Sequence, residues 1–421
     1  MALLLAGGVL IVSCGGYSTP SSTSSTHTPS GFVFRAFVSN PLFPSGTATE
    51  PVVQIIDALH DVLSLSPITL LGSVSQPGLM VVSPTKRYTM IFSPAGNTLG
   101  IIDNASESSA SITQLPGSTQ SIAFGTGETT GFAAVPSAPV TGQAPGAVVM
   151  FGITKGGVLA TIPVPNAEFI VPTPDGTSLL VFSTGSDTIT VISTTLIGSA
   201  TDPRSYITGF DRPVWAIFTN GSATYIFNCG LQCGGNSAGV AVLNSLPAPG
   251  TSTVFSGAIT PTAGATYGLL SSTGTLYVAG SRPGTPCSSG TVATSCGTLS
   301  LVDTASMKVT RTAVITDGYH DRMQMSQNGQ LFIGGQNCTE ISILGGEVRG
   351  CLSIFNSTND KVIVPAWSGD VTGIQEITDR DIIYLCQGGV FHIYDTTTDS
   401  ILVQEVPVVI VGNAVDVKLV D

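Results

Sequence analysis

The chain reads as an all-β protein, a β-propeller of eight four-stranded blades. Its repeats, its composition and its turn chemistry point that way. A short strand motif with period-2 patterning recurs as VQIID (53–57), LGIID (99–103), ITVIS (189–193), VAVLN (240–244), LSLVD (299–303), LSIFN (352–356) and FHIYD (391–395), with a looser copy, VVMFG, at 148–152. Successive copies start 46, 49, 41, 51, 59, 53 and 39 residues apart. A repeat of about 40–50 residues that holds several strands is the signature of propeller blades. Of 421 residues, 42% are apolar and only 10% charged, with 49 Gly and 26 Pro, whereas ordinary domains carry about 25% charged residues. No stretch sustains the 3.6-residue period of an amphipathic helix.

Within each unit the strands are named A to D from the channel outward. An A strand, a tight turn and a B strand are visible in FIVPTPDGTSLLVFS (169–183), WAIFTNGSATYIFN (215–228), TYGLLSSTGTLYVAG (266–280) and RMQMSQNGQLFIGG (322–335). The D-G, N-G and T-G pairs supply the positive φ that tight hairpins require. The recurring motif is then strand C, followed by an irregular D. Eight B strands are expected, at 33–37, 88–92, 132–135, 179–182, 225–227, 276–278, 331–333 and 382–385. The first unit has no A strand in front of it. The alternating AVDVKLV at 414–420 is expected to fill that place and close the ring, because an open sheet edge invites pairing with other chains. Seven blades with one irregular excursion is the alternative, since the unit at 119–164 is degenerate.

The A–turn–B–C pattern, with SPAG at 93–96 and strand ends such as IID and LVD, resembles the YVTN-type bacterial propeller repeats over most of residues 32–421. The resemblance implies the fold. It implies little about activity, because that family includes surface proteins and lactonases, and a fold alone does not license a function.

Residues 1–13, MALLLAGGVLIVS, have the length of a signal-peptide apolar region and are too short to span a bilayer. The following Ile11-Val12-Ser13-Cys14-Gly15 resembles a bacterial lipobox, which implies lipid on Cys14 and an exported protein held in the cell envelope, at the outer membrane or cell surface. Residues 14–31 are then a Ser/Thr/Pro-rich tether that cannot bury enough apolar surface to fold, and 32–421 form a single propeller domain. Net charge is −12 and no basic run is present. That argues against nucleic-acid binding, which needs cations to neutralise phosphates. The expected partners are the membrane, through the lipid, and a protein, glycan or small-molecule ligand.

Six of the remaining cysteines fall in pairs, Cys229/Cys233, Cys287/Cys296 and Cys338/Cys351, each in the B–C connection of its own unit. Local disulfides in an oxidising compartment explain that placement. Zinc is the competing reading, but no His lies in these loops. Cys386 is left over as a buried thiol.

No zinc-protease, nucleophile-elbow or phosphate-loop motif appears, and no catalytic residue, metal site or cofactor is expected. The rarest side chains cluster just before or within two A strands: Arg212 and Trp215 in unit five, and His320, Asp321 and Arg322 in unit seven. Arginine suits a carboxylate or phosphate, and His320 suits acid–base work. The expected function is a lipid-anchored binding or cell-surface structural protein. The alternative is a periplasmic lactonase-like hydrolase with its site on the face of the D–A and B–C loops. Convergence of Arg212, His320 and Arg322 on one pocket separates the two readings.

Overall fold

A β-strand points alternate side chains to opposite faces, and here both faces are apolar, so each sheet needs a neighbour on each side. The computed structural model describes residues 28–72, 74–219, 223–282, 296–339, 341–342, 348–402 and 408–421. Residues 1–27, with Cys14, and Cys287 lie outside them. Among the described residues the strands form eight antiparallel blades built on four strands, two of them with a fifth strand added, and one separate two-stranded hairpin, Ile341–Ser342 with Val348–Arg349. Their innermost A strands are, from blade 1 to blade 8, Asp416–Leu419, Met80–Val82, Ser121–Phe124, Ala167–Pro172, Pro213–Phe218, Tyr267–Leu270, Tyr319–Met325 and Val371–Glu376. The degenerate third unit is a regular blade, Ser121–Phe124, Thr130–Val135, Ala147–Gly152 and Val158–Pro163. The count is therefore eight, not seven. The expected hairpin glycines take positive φ at Gly176 (67°), Gly274 (83°) and Gly329 (87°).

The apolar residues of the described chain divide into eight clusters, one between each pair of adjacent blades. Strand alternation does the sorting. In the B strand of blade 1, Arg35–Ser45, Phe37 packs toward blade 2 while Ala36 and Val38 pack toward blade 8. Each fully buried Val, Leu, Ile or Phe contributes about 1.5–3 kcal/mol, so these layers hold the ring together.

Blade 1 is completed by the two ends of the chain. Ala36, Phe37, Val38 and Ser39 pair with Leu419, Lys418, Val417 and Asp416. Ion pairs reinforce the seam on both sides. Arg35 donates from Nε and Nη2 to the Asp421 carboxylate, at 2.6 Å each, and from Nη1 to Glu107 of blade 2 at 2.9 Å. Arg380 of blade 8 donates to both oxygens of Asp61 in blade 1, at 2.8 and 2.7 Å. Two-pronged arginine–carboxylate pairs are the stronger class of ion pair, and Asp421 holds the Arg35 guanidinium above its ordinary range. These clamps sit on the face of the A–B and C–D turns, here called the base. The D–A and B–C connections form the opposite face, the rim.

One connection departs from the repeat. After its C strand, Gly239–Leu243, blade 5 sends out Ser252–Val254, which pairs in parallel with the outer strand of blade 4, Arg204–Thr208, before the chain returns as Ile259–Pro261.

On the rim, the disulfides Cys229–Cys233 and Cys338–Cys351 are formed, with Cα separations of 5.7 and 5.5 Å. Cys296 is disulfide-bonded too. Cys386 is a free, buried thiol, and burial pushes its pKa well up.

Removing residues 414–421 takes away four buried apolar side chains, Ala414, Val417, Leu419 and Val420, together with the Asp421 clamp. At about 1.5–3 kcal/mol for each of the larger ones, the truncated chain is expected to melt at least about 10 °C lower or to fail to fold, as read by circular dichroism. A midpoint within about 2 °C of the intact chain refutes the closure.

Candidate functional site in the channel

Three of the blades that line the site, 4, 5 and 7, share an irregularity in their inner strands with blade 8. In blades 4, 5, 7 and 8 the A–B pairing slips near the start of strand A, between Ala167 and Phe169, Pro213 and Trp215, His320 and Arg322, and Val371 and Gly373. A bulge sets two residues against one on the partner strand and re-aims side chains. In blade 7 it lies after His320, and Asp321 and Arg322 both line the channel. In blade 5 Val214 and Trp215 do so as well.

The result is a cavity of about 480 Å³ within the channel. Blades 2 to 4 give it an aliphatic wall that includes Met80, Val82, Ile122, Ile170 and Val171. Blades 4 to 7 give it rings. Phe169 and Tyr319 stack across the channel at 6.4 Å between centroids with planes 8° apart, and Trp215 lies edge-on to Phe169 at 6.4 Å and 5.1 Å from Tyr267. Such ring pairs contribute about 0.5–1.5 kcal/mol each beyond burial.

Two ion pairs complete the lining. Arg322 Nη1 donates to Asp321 Oδ2 at 2.6 Å, and Gln336 Nε2 donates to the same oxygen at 2.5 Å. Both members of the pair are about one-fifth exposed, 21% and 20%. Burial raises the Asp321 pKa while Arg322 and Gln336 oppose the rise. Lys418 Nζ donates to Asp416 Oδ1 at 2.9 Å, and Asp416 Oδ2 accepts the Met80 N–H at 2.8 Å. Burial pushes the Tyr267 hydroxyl up to about 12 and the Tyr319 hydroxyl higher still, so both remain protonated.

Of the five residues singled out from sequence, Trp215, Asp321 and Arg322 meet in this cavity. Arg212 does not. It has φ of 56° at the rim and pairs there with Asp187 at 3.1 Å and with the Gly185 carbonyl. Its neighbour Asp211 accepts the Asn236 and Ser237 N–H groups and so caps the Cys229–Cys233 loop. His320 is 0% exposed behind the channel wall. Its ring lies against the Thr316 backbone between Gly297 and Gly335, near enough for that backbone to oppose part of the burial effect, but neither nitrogen has a hydrogen bond of good geometry. Burial lowers its pKa to about 4. The convergence required of a hydrolase built on Arg212, His320 and Arg322 is therefore absent.

Phe169, Tyr267, Tyr319 and Lys418 belong to the cavity as well. One signal was available for the first three, because four successive units, 4 to 7, each set an aromatic residue near the start of strand A. The stapled loop of blade 5 also reaches the site. Gln232, inside the Cys229–Cys233 turn, donates to Gly318 O at 2.9 Å and accepts the Ser281 N–H at 2.7 Å. This strut joins blades 5, 6 and 7 directly before Tyr319. Among the described residues no three His, Cys, Asp or Glu side chains are grouped so as to hold a metal ion, and no helix is long and apolar enough to cross a membrane.

The architecture recurs in solved structures. Dihydro-heme d1 dehydrogenase NirN, solved in complex with DHE, superposes with a TM-score of 0.61 at 12% identity over 92% of this chain and 75% of that one. The Dos1 propeller gives 0.56 at 13% identity over 80% and 85%. The chain is an eight-bladed β-propeller. A 6-phosphogluconolactonase-like protein of Bacteroides fragilis gives 0.50 at 12% identity over 96% and 100%. At these identities the likeness is one of fold alone. No family model and no curated protein sequence matches the chain.

The buried His320 makes stability depend on pH. Its folded pKa, about 4, lies below the unfolded value of about 6.5. Its contribution is complete above the unfolded value and is lost as pH falls toward the folded one, because unfolding then takes up a proton. Denaturant unfolding between pH 7 and pH 4.5 is expected to show a loss of a few kcal/mol. Burial also lowers the pKa of His392 to about 4, so the two histidines share this window, and His320→Leu is expected to remove about half of that slope. An unchanged slope in this variant excludes His320 as a source of it.

Proposed function

We propose that the protein is an exported, lipid-anchored propeller that binds a small molecule in its channel. The observation that carries the reading is the meeting of the Phe169, Trp215, Tyr267 and Tyr319 rings with the Arg322–Asp321 pair near the starts of the A strands of blades 4 to 7. A mostly apolar cavity with a few convergent polar groups is the usual form of a small-molecule site, and bulges are over-represented beside such sites. The enclosure of His320 weighs against the hydrolase alternative, which needs a base at the substrate.

Export and anchoring are supported by the Ile11–Cys14 motif and by disulfides that suit an oxidising compartment. The geometry of the chain ends adds an exit point. Ser30 donates from its N–H and its hydroxyl to Glu107 on the base, at 2.6 Å each. A tether preceding Ser30 would therefore leave from the base.

Two measurements test the proposal. Intact mass of the membrane-extracted protein is expected to show acyl chains on an N-terminal Cys14, and Cys14→Ser is expected to release the protein from the membrane fraction. In a thermal-shift screen of the Cys14→Ser chain, a ligand at a hundredfold excess over Kd adds about 2.7 kcal/mol, a rise of a few degrees. Trp215→Ala is expected to abolish that rise. Ligands that stabilise Trp215→Ala as well as the parent place binding outside the channel.

A further inference from the structure

The chemistry of the channel wall narrows the ligand, on the reading that the channel is the binding site. Its charges cancel. Arg322 is matched by Asp321 and Lys418 by Asp416. An ion of either sign entering the cavity sheds its hydration and meets no net opposite charge, a heavy cost beside that of an uncharged group.

Its side-chain hydrogen-bonding groups do not cancel. The Tyr267 and Tyr319 hydroxyls and the Trp215 indole N–H make no hydrogen bond among the described residues, and none of the three is sealed from solvent. Arg322 makes a single hydrogen bond, through Nη1 to Asp321, although a guanidinium offers five N–H donors. Lys418 likewise gives one bond, to Asp416. Asp321 Oδ1 has no partner, but it is buried out of reach of water. Gln120, the one amide in the lining, offers both kinds of group. The wall is therefore charge-balanced and rich in donors.

We infer that the cavity takes a flat, uncharged ring compound bearing carbonyl oxygen. The rings lie between the aliphatic wall of blades 2 to 4 and the aromatic wall of blades 4 to 7. The oxygen accepts hydrogen bonds from Tyr267, Tyr319 or Arg322. Trp215, Arg322 and Lys418 can only donate while the tyrosines can donate or accept, so donors outnumber acceptors on this wall and a carbonyl, which only accepts, suits it better than a hydroxyl.

Calorimetric titration of the full-length Cys14→Ser chain tests the inference with four probes of one ring system: 2-acetylnaphthalene, 2-naphthol, naphthalene and 2-naphthoate. The ketone is expected to bind about five- to tenfold more tightly than naphthalene, the gain of a hydrogen bond or two between uncharged groups, with 2-naphthoate the weakest. The double variant Tyr267→Phe/Tyr319→Phe keeps both rings. It is expected to bring the ketone down toward naphthalene while naphthalene itself is unchanged. Equal affinities for ketone and naphthalene, or tightest binding of the naphthol or the naphthoate, overturns the inference. If screened compounds bind in a Trp215-dependent way while none of the three neutral probes does, the ligand class is wrong and the channel site stands. If no binding depends on Trp215, the channel site itself falls.

Discussion

No blade of this protein has a core of its own. A four-stranded sheet with apolar side chains on both faces is stable only when each face lies against another such sheet, and the eight apolar clusters all lie between blades. From that constraint follow the ring, the need for a closing strand, and the ion pairs that flank the closure. The polar clamps contribute specificity in addition to stability. Arg35 reaches Asp421 and Glu107, and Arg380 reaches Asp61, so the seam of blade 1 is locked to its neighbours in one register. A slip by one residue would turn Phe37 toward the wrong neighbour.

Function is built where the repeat is imperfect. In blade 7 the bulge lies between His320 and Arg322, where the acid and the base of one ion pair stand side by side at the wall. The bulge in blade 4 precedes Phe169, which stacks on Tyr319 from three blades away. The rim supports this arrangement from above. Gln232 bonds to the backbone on either side of blade 6, and the Cys229–Cys233 turn holds it in place. The channel end is thus held by covalent and polar contacts while its lining stays largely apolar.

The fold was legible in the sequence because its signals are local. Period-2 motifs, hairpin glycines and the stray alternating segment at 414–420 each report on a few consecutive residues, and the spacing assembled them into blades. The parallel strand at Ser252–Val254 left no such mark, since its partner is an edge 45 residues away and its three residues are exposed. The site was half legible. Trp215, Asp321 and Arg322 stood out as rare residues beside inner strands, but so did Arg212 and His320. What separates the two groups is the direction of each side chain. For Arg212 the deciding feature is Asp187, a carboxylate from the neighbouring blade that captures it at the rim.

The pairing of the first strand with the last also governs when the molecule comes into being. Arg35 and Asp421 are 386 positions apart, so the contact that completes blade 1 forms only after residues 416–421 have been synthesised. Until then the growing chain can stack blades 2 to 8 in order, but both ends of the stack present unmatched apolar sheets to water. Long-range closures of this kind are slow, and partly assembled sheets are prone to aggregation. The interval between the arrival of blade 2 and that of Leu419 is therefore the period in which this chain most needs protection by chaperones.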